Sequence, residues 1–432
     1  MQIFQELGEL IERRWRNENY SEQLFPELAA QALTESNLPA QVDPWEIIRW
    51  VQGAVSLPDQ KDAEGRFGDP PITLFAGPRF YVDVYFWLDG TTSIHQHAFT
   101  GAFQVLLGSS IHSRYSFSET KIISEHFSVG ELHLEDVQLL QKNDVRLIKP
   151  GRNFIHSLFH LDRPSATITV RTEHTPSSAL QWDYRKPYFA TNPFFRNQVM
   201  SKKLQTIGLL LGMKHKDADQ MIGDLICSSD FHTAYFALET FFHSVRNNQM
   251  DSLFGLSTGN DRIQSILARA KEAHGELVDL VLPVFEEQVR QNDIVQRRGS
   301  ITGEEHRFFL ALLLNVPSRE KILELVKARF PETDPVEKIL DWVEELSQTR
   351  VLGSKEPNAL GLENFDDEYM LVLERLLRRK STENVEQFGQ PDEGANSVVS
   401  SERLSKALGE LQASSLLRAV LTQAGSNKPL MK

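Results

Sequence analysis

Between Ile72 and Thr172 the apolar residues of this chain recur at every second position, whereas on either side of that stretch they recur at three- and four-residue steps. A period of two sends successive side chains to opposite faces of a strand, and a period of 3.6 builds the stripe of a helix, so one element cannot satisfy both. The chain must therefore hold a β block between helical flanks. Within that block YVDVYFWL (Tyr81 to Leu88), GAFQVLL (Gly101 to Leu107), IHSRYSF (Ile111 to Phe117), DVRLI (Asp144 to Ile148) and ATITVRT (Ala166 to Thr172) are short and rich in β-branched and aromatic residues, with Gly, Pro, Asp or Ser between them. No helical pattern intervenes to carry a crossover, which argues for an antiparallel sandwich or barrel.

The flanks read differently. Ile3, Phe4, Leu7, Leu10 and Ile11 form one face of a first helix, and Asp43-Pro44-Trp45-Glu46 carries helix-start signals: a capping carboxylate, proline at the first turn and an early glutamate. Gly65, Gly68, Asp69, Pro70 and Pro71 end that region. From Pro193 to about Arg379 helical stripes return in LQTIGLLLGM, FHTAYFALETFFHSV, ELVDLVLPVFEEQV, EEHRFFLALLLNV, REKILELVKARF and DPVEKILDWVEEL. Asp334-Pro335-Val336-Glu337 repeats the start signals of Asp43, as convergent capping and not as an internal repeat. Residues 380–401 are polar and aperiodic, the composition of a mobile linker. A last amphipathic helix with Leu404, Leu408, Leu411 and Leu417 either docks back or binds elsewhere. The expected fold class is α+β, in five parts: a helical segment over residues 1–65, a β-barrel over 66–180, an α-helical domain over 190–379, a linker over 380–401, and a helix and tail over 402–432.

Composition removes several function classes. With 46 Lys plus Arg against 59 Asp plus Glu, the formal charge of −13 repels phosphate backbones and anionic membranes, so neither nucleic acid nor membrane is an expected partner. The lone Cys227 forbids a disulfide within the chain and a thiolate zinc cluster, and points to a reducing compartment. The first twenty residues alternate apolar and charged positions without the apolar core of a signal peptide, and the longest apolar runs fall far short of a bilayer span. A soluble, cytoplasmic protein is expected.

The chemistry-bearing segment is Gly90-Thr91-Thr92-Ser93-Ile94-His95-Gln96-His97-Ala98-Phe99-Thr100-Gly101. Strand residues two apart share a face, so His95 and His97 can present two imidazoles to one point inside a barrel. A third is available after the Pro150-Gly151 turn, at His156. Two alternating histidines alone are as well explained by a solvated strand face; the later turn and histidine, inside the same β block, favour a metal site.

These residues resemble the two motifs of the cupin superfamily: a glycine, HxH and a strand ending in Gly108, then a later Pro-Gly and single histidine. The resemblance implies a double-sheet jelly roll with an internal metal. The glutamate usual four or five residues after the second histidine is replaced by Gly101 and Ala102. TTSIHQH is most similar to the GSSIHDH segment of cysteine dioxygenase-type cupins, whose site has three histidines and no carboxylate. The resemblance spans roughly Ile72 to Glu173. It implies metal ligands His95, His97 and His156, a substrate and dioxygen at open positions, and Fe(II), although imidazole also suits Zn, Ni and Cu. The cysteine cross-linked to tyrosine in the animal enzymes falls near Ala102, so that cross-link is impossible here. With Pro164 aligned to the family's proline, Thr167, Thr169 and Arg171 take the pocket positions held there by serine, histidine and tyrosine. Arg171 would hold an anion by paired hydrogen bonds, or else is a surface arginine on an edge strand. The altered set argues against cysteine itself as substrate.

Two functions follow as expectations: a metal-dependent oxygenase for a small polar substrate such as a thiol or amino-acid derivative, or a non-catalytic sensor whose helical region binds a protein partner. A purely structural β-domain is the third reading. Lesser candidates are His160, as a partner or alternative ligand but more readily an exposed strand residue, and His112, His126 and His133, read as solvated. Tyr81, Asp83, Tyr85 and Trp87 form one strand face, read as wall packing with Tyr85 a candidate pocket hydroxyl, and Gln104 is a weak candidate ligand. Glu304-Glu305-His306 and Asp230-Phe231-His232 lack the second histidine of a helical zinc motif, the phenylalanines of FHTAYFALETFFHSV read as core, and Cys227 reads as an inert buried thiol.

Overall fold

A computed structural model describes residues 1–65, 67–88, 90–173, 180–247, 259–351, 358–362, 365–379 and 401–421. Four N-terminal helices, α1 (Gln2–Asn17), α2 (Phe25–Ser36), α3 (Leu38–Gln41) and α4 (Pro44–Gly53), precede twelve strands. These are β1 (Pro71–Ala76), β2 (Phe80–Trp87), β3 (Gly90–Thr91), β4 (Ile94–His95), β5 (Gly101–Leu107), β6 (Ser110–Ser124), β7 (Phe127–Leu140), β8 (Val145–Ile148), β9 (Ile155–His160), β10 (Ser165–Thr172), β11 (Asp183–Arg185) and β12 (Phe189–Thr191). The strands make a five-stranded sheet in the order β1-β2-β10-β5-β8 and a seven-stranded one in the order β3-β9-β4-β11-β12-β7-β6, with β6 also pairing β9 so that the second sheet closes on itself. Every strand pairing is antiparallel. The fold is α+β, with a cupin-like double-sheet jelly roll.

The alternation of β2 and β10 sorts their side chains. Phe80, Val82, Val84 and Phe86, with Ile168 and Val170, join Phe4, Leu7 and Ile11 of α1 and Phe25 and Leu33 of α2 in one buried cluster, so the N-terminal helices cover the outer face of the five-stranded sheet. Tyr81, Asp83, Tyr85 and Trp87 and their neighbours Thr167, Thr169 and Arg171 therefore face the space between the sheets, beside Phe103 and Val105 of β5. Asp43 caps α4 by accepting a hydrogen bond from the Trp45 amide at 3.1 Å. Gly101 is fixed by close approach: a Cβ there would sit 2.0 Å from the Val170 carbonyl oxygen of β10.

Among the described residues eleven further helices follow: α5 (Gln198–Gly212), α6 (Ala218–Ser228), α7 (Phe231–Asn247), α8 (Gly259–His274), α9 (Val281–Ser300), α10 (Glu304–Asn315), α11 (Arg319–Arg329), α12 (Pro335–Gln348), α13 (Asp367–Arg378), α14 (Ser401–Ala413) and α15 (Arg418–Leu421). They form two cores, and each borrows strand residues. Phe127, Val129 and Phe189 pack with α5 to α9, and Ile111, Val137, Phe159 and Leu161 pack with α10 to α15. Buried Arg298 of α9 donates to the backbone carbonyls of His160 (3.3 Å) and Leu161 (3.1 Å) and lies over the Phe159 ring. The C-terminal amphipathic helix docks back: Leu404, Leu408, Leu411 and Leu417 are all buried in the second core. Residues 380–400 of the expected linker lie outside the described residues. No helix among the described residues is long and apolar enough to cross a membrane.

Candidate metal centre

The HxH run is held from both sides by its neighbours. His95 of β4 pairs with His156 of β9 on one side and with Asp183 of β11 on the other. His97 lies just past the strand, and its carbonyl accepts the Gly151 amide at 2.8 Å, so the Pro-Gly turn is clipped to the second histidine. Gly151 takes a φ of +65°, where a side chain would be strained, which is why glycine follows Pro150.

The expected trio converges. One ring nitrogen from each of His95, His97 and His156 lies within 4.8 Å of the others, and the residues are only 5%, 8% and 3% exposed. His97 Nε2 and His156 Nε2 are 2.9 Å apart. Two imidazoles bound at right angles to one ion with metal–nitrogen bonds of about 2.0–2.1 Å would stand at that spacing. The outer nitrogens of His95 and His156 are engaged, whereas His97 Nδ1 is buried with no hydrogen-bond partner. His95 Nδ1 donates to the Ser93 carbonyl at 2.8 Å, leaving Nε2 unprotonated, and His156 Nδ1 is engaged by His112 Nε2 at 3.1 Å. Burial pushes all three imidazoles below the usual histidine range; nearby His95 and Arg171 add to this for His97, and the neighbouring histidines for His156. Neutral imidazoles with inward lone pairs are the form a metal requires, so this residue set could hold one.

Two groups at this centre escape a reading of the sequence. His112 is 1% exposed and contacts His156, correcting the expectation of a solvated strand residue. Its imidazole is pushed down to about 3, chiefly by burial and then by Arg146 and Arg114. Asp183 sits beside His95 and favours its charged form, while burial raises the Asp183 carboxyl itself. The missing glutamate has a structural counterpart: Ala102 faces the outer core under the N-terminal helices, and Gly101 is pressed against β10, so neither position can present a ligand. Gln104 shares the outward parity of Ala102, reaches only the Asn143 carbonyl, and does not join the histidines.

The three substrate-side candidates share the inner face but spread along it. Thr167 accepts the Trp87 indole N–H at 3.2 Å. Thr169 lies between Asp83 and Phe103 across the sheet. Arg171 reaches towards the candidate centre through Phe99: its guanidinium lies 3.2 Å from the centroid of Phe99, whose ring is 4.3 Å from that of His97. Arg171 Nε has no hydrogen-bond partner, and the residue is half-buried on an interior strand of its sheet, not on an edge. His160 is buried rather than exposed; it stacks on Trp87 at 4.4 Å, and Ser110 and Ser165 hydroxyls meet its Nδ1.

The remaining candidates are structural. His133 is half-exposed beside Glu131, and half-buried His126 stacks on Phe195. Glu305 accepts from the Trp342 indole and pairs with Lys338, and Asp230 accepts from the Thr233 amide. Cys227 is half-buried, its thiol against the Arg269 carbonyl. Among the described residues only His95, His97 and His156 make a metal-competent group.

No family model matches the chain, and no curated protein matches it. Among solved structures, hydroquinone 1,2-dioxygenase from Sphingomonas sp. TTNP3, with 4-hydroxybenzoate bound, is 12% identical over 27% of this chain and 72% of that one, with a TM-score of 0.20. An uncharacterized conserved protein with a double-stranded beta-helix domain from Klebsiella pneumoniae subsp. pneumoniae MGH 78578 is 17% identical over 28% of this chain and 90% of that one, with a TM-score of 0.18. At these scores neither similarity bears on substrate or chemistry.

Proposed function

We propose that the protein is a metal-dependent oxygenase that binds Fe(II) through His95, His97 and His156 and oxidises a small polar substrate with dioxygen in a cytoplasmic setting. The observation that carries this is the convergence of three buried, neutral imidazoles with no carboxylate among the ligating atoms. A ferrous ion so held would keep its double charge and adjacent open positions for a substrate and dioxygen. The chain's own contribution is to orient and to exclude water. Ser93 and His112 hold the tautomers of His95 and His156, and Phe99, Phe103 and Phe154 surround the imidazoles with apolar surface. Arg171, held on the Phe99 face, would orient an anionic substrate group beside His97. Thr169 lines the same face.

One observation favours a second reading, a ligand sensor. Strand β9, which carries His156, is gripped at its far end by Arg298 of the helical region, so a change at the metal would be felt there. Elemental analysis of protein purified without a metal-binding tag, followed by oxygen uptake with a panel of small thiols and amino acids, separates the two. Near-stoichiometric iron with substrate-dependent uptake supports the oxygenase. Bound metal with no uptake from any compound favours the sensor, and no bound metal removes both.

A further inference from the structure

Outside the barrel, helices α7 and α9 turn polar stripes toward each other. Phe242 and Phe285 join the two helices in the core, their rings 5.0 Å apart. Beside that contact Glu239 and His243 of α7, one turn apart, and Gln288, Gln291 and Asn292 of α9, also within one turn, line a cleft of about 440 Å³ that Arg185 of β11 completes. Ligand clefts are ordinarily walled by apolar side chains, so one whose lining is polar throughout selects a polar occupant. The charges in the wall already neutralise each other: Arg185 pairs with Glu239, and the Gln288 carboxamide donates to the same carboxylate at 2.9 Å. An entering ion would have to break that pair.

The rest of the wall interleaves donors and acceptors. The Gln288 oxygen can only accept, so His243 Nε2 donates to it at 3.2 Å, and the neutral ring presents Nδ1 as an acceptor. Gln291 donates to Glu287 at 2.9 Å and Thr240 to the Phe236 carbonyl at 2.8 Å, so each offers its oxygen as an acceptor, while exposed Asn292 brings a carboxamide with both functions to the rim. Hydroxyl groups, which donate and accept at one atom, match such a wall. Among the described residues no phenylalanine, tyrosine or tryptophan lines the cleft, so a planar base has no ring to stack on. We propose that this cleft is a second ligand site, for a small neutral polyhydroxylated molecule, a sugar or polyol, held by His243, Gln288, Gln291 and Asn292. It shares no residue with the histidine centre and stands apart from the oxygenase reading.

The test is calorimetric titration of the full chain with myo-inositol, D-glucose and D-sorbitol, beside the charged analogues gluconate and glucosamine. At least one neutral polyol is expected to bind at about 1 mM or tighter, the strength that about a dozen non-hydrogen atoms supply, and about tenfold more tightly than the charged analogues. Gln288→Ala and Asn292→Ala should each weaken it about three- to tenfold, the worth of one hydrogen bond. Glu239→Gln, which removes the counter-charge of Arg185 at nearly constant shape, should raise gluconate affinity about tenfold. Polyol binding should survive treatment of the protein with a chelator. No heat from any of the three polyols, gluconate bound as tightly as sorbitol by the unmodified protein, affinity unchanged in Asn292→Ala, or binding lost with the metal overturns the proposal. Asn292 is exposed, so that variant reads the site even if Gln288→Ala fails to fold.

Discussion

Five of the six buried histidines among the described residues, His95, His97, His112, His156 and His160, cluster in the barrel and tie this fold to pH. Burial lowers the pKa of each, to about 3 for His112 and His160, whereas an unfolded imidazole titrates near 6.5. The unfolded chain therefore takes up protons that the folded one refuses, and stability falls as pH drops below about 6.5, by about 1.4 kcal/mol per pH unit for each such residue. Thermal melts of metal-free protein should show the midpoint lower at pH 5.5 than at pH 7.5, and His160→Asn should flatten that dependence. At the centre, His112→Ala should weaken metal affinity about 10- to 100-fold, read by competition with a chelator, because His156 loses the group that orients it. The three histidines of the candidate centre could be read from strand parity and a turn. His112 and Asp183 could not, because their importance depends on which strands lie beside β4 and β9, and that is set by pairings between residues far apart in sequence.

At the scale of elements, the short strands and helix starts are local and legible. The inward and outward faces of β2 and β10 follow from alternation, and Asp334 caps α12 through the Val336 and Glu337 amides as its Asp-Pro start implies. The hairpin of β6 and β7 was less legible. Its outer half, from Ser116 on, is polar and half-exposed, and it remains strand because β12 pairs with β7, a contact made by residues about sixty positions later. Gly101→Ala tests the tight seam between β5 and β10. A methyl group directed at the Val170 carbonyl should cost about 1–3 kcal/mol in urea unfolding, and the shift of β5 should weaken metal binding with it.

For the whole molecule, the helical half is part of the barrel's wall, because its cores take in Ile111, Phe159 and Leu161 on one side and Phe127 and Phe189 on the other. Amphipathic stripes reveal that these helices have a face to bury but not which surface they bury it on. Leu411→Ala, in the docked C-terminal helix, should lower stability by about 2–5 kcal/mol in urea unfolding, since the residue is fully buried. Arg298→Ala should reach further: besides lowering stability it should loosen the end of β9 and raise hydrogen exchange at His160 and Leu161, whose carbonyls it holds.

The convergence of His95, His97 and His156 on one ion is tested most directly by elemental analysis of the purified full chain beside its His97→Ala and His156→Ala variants, with folding checked by circular dichroism. Close to one iron per chain in the unmodified protein, lost in both folded variants, is the expected result. A metal content near zero in the unmodified protein after anaerobic incubation with ferrous iron, or unchanged metal in the variants, would contradict it.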